Sequence, residues 1–132
     1  MEYQLELVPS PEDIDELDHV SNLTYLRWVI AAARAHSDAR GLDFAAYRRH
    51  GGVFVVKRHE IDYLHPAVAN DRIAVITWVE SWQSASSFRR TRIVRVADGR
   101  ELASARTQWV FISLERQRPT RIPAEVKNAF CA

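Results

Sequence analysis

The chain has 132 residues, a length that suits one domain around one hydrophobic core. It is 47% hydrophobic and 27% charged, with only 4 Gly and 5 Pro, a balance that excludes the disordered and low-complexity classes. Its formal net charge of +1 gives no ground for nucleic acid or an anionic membrane as partner. The single cysteine, Cys131, excludes an internal disulfide and a cysteine-built metal site, and fits a reducing cytoplasm.

In chain order, residues 3–8 alternate Tyr3, Leu5 and Leu7 against Gln4 and Glu6, which predicts a short strand stopped by Pro9 and Pro11. The acidic, proline-broken start is not a signal peptide. After an acidic loop, Ser21 or Asn22 can cap a helix over about 23–39, with Gly41 as its stop. Leu23, Leu26, Ile30 and Ala33 form an apolar face. Tyr25, Trp28, Val29 and Ala32 extend it around most of the circumference, so something must wrap this helix. A short helix is expected at 43–49. Four strands follow: 53–63, ended by Pro66; 72–82, after Asn70-Asp71; 87–96, ended by Asp98-Gly99; and 102–114. On the last of these, Ala103, Ala105, Thr107, Trp109 and Phe111 share one face, small and then aromatic, which suits packing on a helix. A helical turn at 124–130 closes the chain. No apolar run is long enough to cross a bilayer.

Short connections make successive strands antiparallel. The expected fold is therefore α+β, a single domain over 1–132, with an antiparallel sheet of about five strands wrapped around one long central helix. Such a sheet leaves open edges and apolar residues on its outer face, and pairing with a second copy covers them.

The segment DIDELDHVSNLTYLRW (13–28) sets dense negative charge directly before the most apolar helix. In the bland reading, carboxylates near a helix N-terminus merely complement its partial positive charge, worth roughly 0.3–1 kcal/mol each. In the catalytic reading, the free N–H groups of a buried helix start polarise a thioester carbonyl and hold its oxyanion. A loop carboxylate then attacks that carbonyl or deprotonates a water.

This segment resembles the motif of hotdog-fold acyl thioesterases, of the 4-hydroxybenzoyl-CoA thioesterase and acyl-carrier-protein thioesterase types. DYLHPAVANDRIAV (62–75) and RPTRIP (118–123) are similar to two further stretches of that family, in the same order. The resemblance implies a hotdog fold and hydrolysis of an acyl-CoA or acyl-carrier-protein thioester in lipid or aromatic acid metabolism. It needs no cofactor, and it runs in a homodimer or homotetramer with the active site at the subunit interface. It implies Asp15 as nucleophile or general base, His19 as a further catalytic group or a residue shaping the loop, and Asn22 as the position whose backbone N–H faces the oxyanion. Tyr25 and Trp28 then line the acyl site or pack the helix. Apart from the motif, Arg116, Arg118 and Arg121 cluster in the tail, to hold a phosphate of coenzyme A, to meet an acidic carrier protein, or to stay in solvent. The chain departs from the motif at Asp18, where Gly or Gln is usual, at Ser21, where Asn is usual, and at Leu17, where carrier-protein enzymes have Asn. The helix has no Glu, so a mechanism with a helix Glu as base does not apply. Two rival readings are an enoyl-thioester hydratase, whose Asp–His spacing does not match Asp15 and His19, and a non-catalytic scaffold binding an acyl thioester or a protein.

Outside the motif, Arg89, Arg90, Arg92, Arg95 and Arg100 crowd one strand and are expected mostly in solvent. His36, His50, His59 and His65 lack metal-ligand spacing, so no metal is expected.

Overall fold

A computed structural model describes residues 1–131. Five strands and three helices run in the order β1 (Tyr3–Leu7), α1 (Asn22–Ala39), α2 (Phe44–Arg49), β2 (Gly52–Tyr63), β3 (Ile73–Trp82), β4 (Ser86–Arg95), β5 (Glu101–Ser113) and α3 (Ala124–Ala129). The strands form one sheet in the order β1-β3-β4-β5-β2, antiparallel throughout. The sheet wraps α1, which is the hotdog arrangement that the alternating strands and the apolar helix predicted.

Both ends of α1 are built by local chemistry. Ser21 is the N-cap, and its Oγ accepts from the Thr24 N–H at 3.4 Å. At the other end Gly41 has φ +75°, a conformation open to glycine. Leu42 N–H then reaches back to the Ser37 carbonyl at 2.8 Å, and Gly41 N–H to that of Asp38 at 3.0 Å, a Schellman ending.

The buried side of α1 consists of Thr24, Tyr25, Trp28, Val29, Ala32, Ala33 and His36. This corrects the expected face: Leu23 is 63% exposed, and Leu26 and Ile30 are only partly covered. One sheet covers one side of a helix, and the strands present short side chains there. Val29 and Ala32 pack into a cluster with Val75, Ala103 and Ala105. A second cluster, built on Phe111, Tyr47, Val126 and Phe130, closes the far end under α2 and α3. The face of β5 read from the sequence does point inward at Ala103, Ala105, Thr107 and Phe111.

The outer face is more charged than expected. A register shift in β3 between Val79 and Ser81 leaves Glu80 as the extra residue, aimed outward. It accepts from Arg90 on β4 and, at 2.9 Å, from Arg106 on β5, whose guanidinium lies 3.9 Å over the Phe88 ring.

Gly52 marks a point of close approach. A Cβ there would lie 2.6 Å from both the Ile112 carbonyl oxygen and the Phe111 ring. Gly52→Ala is expected to lower stability by about 1–3 kcal/mol, read as an earlier urea midpoint at unchanged slope.

Candidate active site

The acidic loop is a small hairpin that delivers the chain to α1. Ile14 and Val20 form an antiparallel bridge, and Asp15 N–H donates to the His19 carbonyl at 2.8 Å. At the tip Asp18 sits at φ +61°. That left-handed position explains why glycine serves there in the family motif. Asp is among the few residues with a side chain that tolerate it.

The carboxylates divide their work. Asp13 belongs to the scaffold: its Oδ2 accepts from Ser10 N–H at 2.9 Å and its Oδ1 from the Thr24 hydroxyl at 3.4 Å, tying the preceding 3-10 turn (Pro11–Asp13) to the first turn of α1. Asp15 is half-buried. Its Oδ1 accepts from Leu17 N–H at 2.9 Å and from His19 N–H at 3.3 Å. Its Oδ2 has no hydrogen-bond partner among the described residues. The result is a carboxylate whose orientation is fixed through one oxygen while the other stays available. His19 meets Asp15 through its backbone, and its half-buried ring has no partner among the described residues.

At the start of α1 the N–H groups of Asn22 and Leu23 also lack partners among the described residues, as the first turn of a helix dictates. Asn22 is exposed. Its carbonyl accepts from the Tyr63 hydroxyl at 3.3 Å, so the end of β2 leans on the helix start. Ala67 completes the clamp. Its N–H donates to the Tyr25 hydroxyl at 2.9 Å and its carbonyl accepts from Val20 N–H at 2.9 Å. One peptide thus holds both the loop and the helix. Sequence reasoning named the stretch 62–75 but not Tyr63 or Ala67 as residues that position the site.

Tyr25 and Trp28 are both buried in the core and pack edge to face. Burial pushes the Tyr25 phenol pKa up, and its hydroxyl is occupied by Ala67. Arg116 and Arg118 lie elsewhere, exposed in the turn after β5. Ser113, beside that turn, pairs with Gly52, whereas Tyr63 marks the Asp15 end of the same strand. Eleven residues of extended chain separate those two ends, about 35 Å. Within one chain the two arginines and Asp15 do not meet.

One arginine of the five departs from the solvated face expected for most of them. Arg89 is 5% exposed, because on β4 it shares the inward face with Ser87, Thr91 and Ile93. Its Nη1 donates to His36 Nδ1 at 2.9 Å and to Thr77 Oγ1 at 3.1 Å. A guanidinium only donates, so the His36 proton sits on Nε2. Burial, and then the charge of Arg89, pull the His36 pKa down to about 4. Arg90 and Arg92 do face outward, in ion pairs, while Arg95, in step with Ile93 and opposite Ile73, is partly buried at the end of the strand and pairs with Asp71 and Asp98. No group of side chains suited to a metal ion occurs among the described residues.

A family model for the thioesterase-like superfamily matches residues 9–130, and the chain belongs to that family. The long-chain acyl-CoA thioesterase FadM of Escherichia coli (strain K12) is 25% identical over 115 residues, 87% of this chain and 86% of that protein. A protein of Lactobacillus plantarum assigned as an oleoyl thioesterase superposes with a TM-score of 0.94 at 21% identity. The match covers 99% of this chain, which spans about half (51%) of that longer one. A 1,4-dihydroxy-2-naphthoyl-CoA thioesterase from Synechocystis superposes with a TM-score of 0.90 at 20% identity, over 99% of this chain and 96% of that one.

Two outcomes follow from this geometry. Asp18→Val is expected to cost about 1–2 kcal/mol in chemical denaturation, whereas Asp18→Gly should be no less stable than wild type. The second concerns pH. His36 takes up a proton near pH 6.5 when unfolded but only near pH 4 when folded, so stability rises with pH between those values. Acidification from pH 7 to 4 is expected to cost up to about 3 kcal/mol through this residue, and denaturation curves of His36→Gln should show a flatter pH dependence.

Proposed function

We propose that this chain hydrolyses an acyl-CoA thioester, with Asp15 as nucleophile or general base and the Asn22 N–H as oxyanion donor. The observation that carries this reading is the Asp15 carboxylate, anchored through Oδ1 and free at Oδ2, in a loop that feeds a helix start with open N–H groups. The negative charge of an oxyanion gains from that helix end, and one such donor is worth roughly 2.7–4 kcal/mol in the transition state. Asp15 either adds to the carbonyl carbon and expels the thiolate, leaving an anhydride that water opens, or takes a proton from the attacking water. The FadM relative acts on long-chain acyl-CoA, which favours coenzyme A over a carrier protein as the thiol.

The reading includes a second copy of the chain. β2 is an edge strand of 12 residues, and Val55 on it is exposed. Leu17, Leu23, Tyr63 and Leu64, all exposed, come from the segments that meet at the start of α1. Antiparallel pairing of two β2 edges brings the Gly52 end of one chain to the Tyr63 end of the other. Arg116 and Arg118 of one copy then stand near the Asp15 loop of its mate, where the phosphates of coenzyme A need cations. No described helix is long and apolar enough to cross a membrane, and the exposed, unpaired Cys131 suits a reducing compartment such as the cytoplasm.

The test is free-thiol release from short, long, branched and aromatic acyl-CoAs, with wild type and Asp15→Asn side by side and circular dichroism on both. Asp15→Asn is expected to lose at least about a hundredfold in kcat with its fold unchanged. Equal turnover in both proteins would remove Asp15 from the mechanism. No release from acyl-CoA or acyl-carrier-protein substrates would leave a binding scaffold.

A further inference from the structure

A cavity of about 430 Å³ lies between the second half of α1, α2, the Gly52 end of β2 and the adjoining ends of β3, β4 and β5. That volume suits a small ligand. Its walls are mostly apolar, with Ile30, Leu42, Phe54, Val79 and Trp82 among them, yet Arg89, Ser87 and Trp109 also line it. Neither Asp15, Asn22, Tyr25 nor Trp28 does.

The polar groups are the anomaly. Arg89 is nine-tenths buried, and among the described residues no carboxylate pairs with it. Its hydrogen bonds run through Nη1 alone, to His36 and Thr77, both uncharged at neutral pH, and the guanidinium carbon lies 5.6 Å from the centre of the Phe130 ring. Nε and Nη2 have no partner among the described residues. The Trp109 Nε1–H is buried without an acceptor. Ser87, also buried, has no side-chain partner among the described residues. Burial lowers the Arg89 pKa to about 10, so the guanidinium stays cationic at pH 7. An unpaired buried cation and an orphaned N–H are both costly, and both costs fall if an anion with two acceptor oxygens arrives. The other charges at the cavity, Arg34 and Asp38 on α1, are exposed and of opposite sign.

We propose that this cavity receives an apolar chain ending in a carboxylate, held by the free side of the Arg89 guanidinium fork and the Trp109 N–H. The guanidinium fork matches a carboxylate's two oxygens, and the apolar walls require a hydrocarbon stretch behind it. In the thioesterase reading with its paired second copy, on which the assignment to substrate rests, the chain is the acyl group, entering at the Gly52 end from the Asp15 loop of the mate, and the carboxylate is its far end, so the substrate class is ω-carboxyl acyl-CoA. A free fatty acid offers the same chemistry.

Trp82 and Trp109 both line the cavity, so tryptophan fluorescence reports occupancy. In the first arm, octanoate and 1-octanol are titrated into wild type, Arg89→Met and Trp109→Phe, each checked by thermal melting. Wild type is expected to bind octanoate at least about tenfold tighter than octanol, and Arg89→Met to lose that preference. If Arg89→Met does not fold, the wild-type comparison decides alone: equal binding of the two probes overturns the proposal. The second arm compares kcat/KM for octanoyl-CoA and the ω-carboxyl thioester of equal length. A preference of about tenfold for the latter assigns the carboxylate to the substrate. Octanoate selectivity without that preference assigns it to a free fatty acid. Selectivity without hydrolysis of any thioester would keep the cavity and discard the thioesterase reading. Hydrolysis with octanol bound as well as octanoate would do the reverse.

Discussion

Val29 and Ala32 of α1 have no exposed surface and share a core cluster with Val75, Ala103 and Ala105 of the sheet. Short side chains on both sides let helix and sheet backbones approach closely, and the remaining arrangement depends on that contact. Large groups cannot fit at the middle, so they collect at its two ends. Tyr25 and Trp28 fill one end, beneath the Asp15 loop. Phe54, Phe111 and Phe130 fill the other, beside the cavity. The Asp15 loop and the cavity therefore lie toward opposite ends of one rigid helix of 18 residues.

The polar interactions follow the same division. At the Asp15 end backbone N–H groups donate to side chains, Ala67 to the Tyr25 hydroxyl and Leu17 and His19 to the Asp15 carboxylate, while Val20 N–H donates to the Ala67 carbonyl. Such bonds fix the loop through one oxygen of the Asp15 carboxylate and leave the other without a partner among the described residues. At the cavity end the polar groups are side chains of β4 and β5, and they stay incompletely satisfied. On the outer face, by contrast, Glu80 joins Arg90 and Arg106 in a network in which each charge has a partner. Arg89, buried, has no such carboxylate partner among the described residues.

Much of this was legible in the sequence. Alternation placed five strands within a residue of their ends, and a capping serine and a stop glycine bounded α1. The three motif segments placed Asp15 and Asn22 on one loop and helix start. What escaped did so for identifiable reasons. Arg89 has the same period as Ser87, Thr91 and Ile93, which would have turned it inward, but its charge and arginine neighbours argued for solvent. Trp82 reaches the cavity because the extra residue at Glu80 shifts the alternation in β3, and a bulge leaves no mark in an alternating pattern. Ala67 acts through its peptide group, which every residue carries. The helix face was misjudged at Leu23 because apolar residues surround α1 and periodicity alone does not say which side the sheet will take.

One further register shift concerns β2. Val56 pairs with Trp109 and Arg58 with Gln108, which leaves Lys57 as an extra, exposed residue midway along the open edge. A long unpaired edge is a template on which chains can stack without limit. A bulge with a lysine at its centre interrupts that template, since a third strand would meet a kink and a charge where it needs a straight ladder. The opposite edge, β1, is five residues long and ends just before Pro9 and Pro11. With Lys57 at its centre, the β2 edge is a poor template for open-ended strand addition.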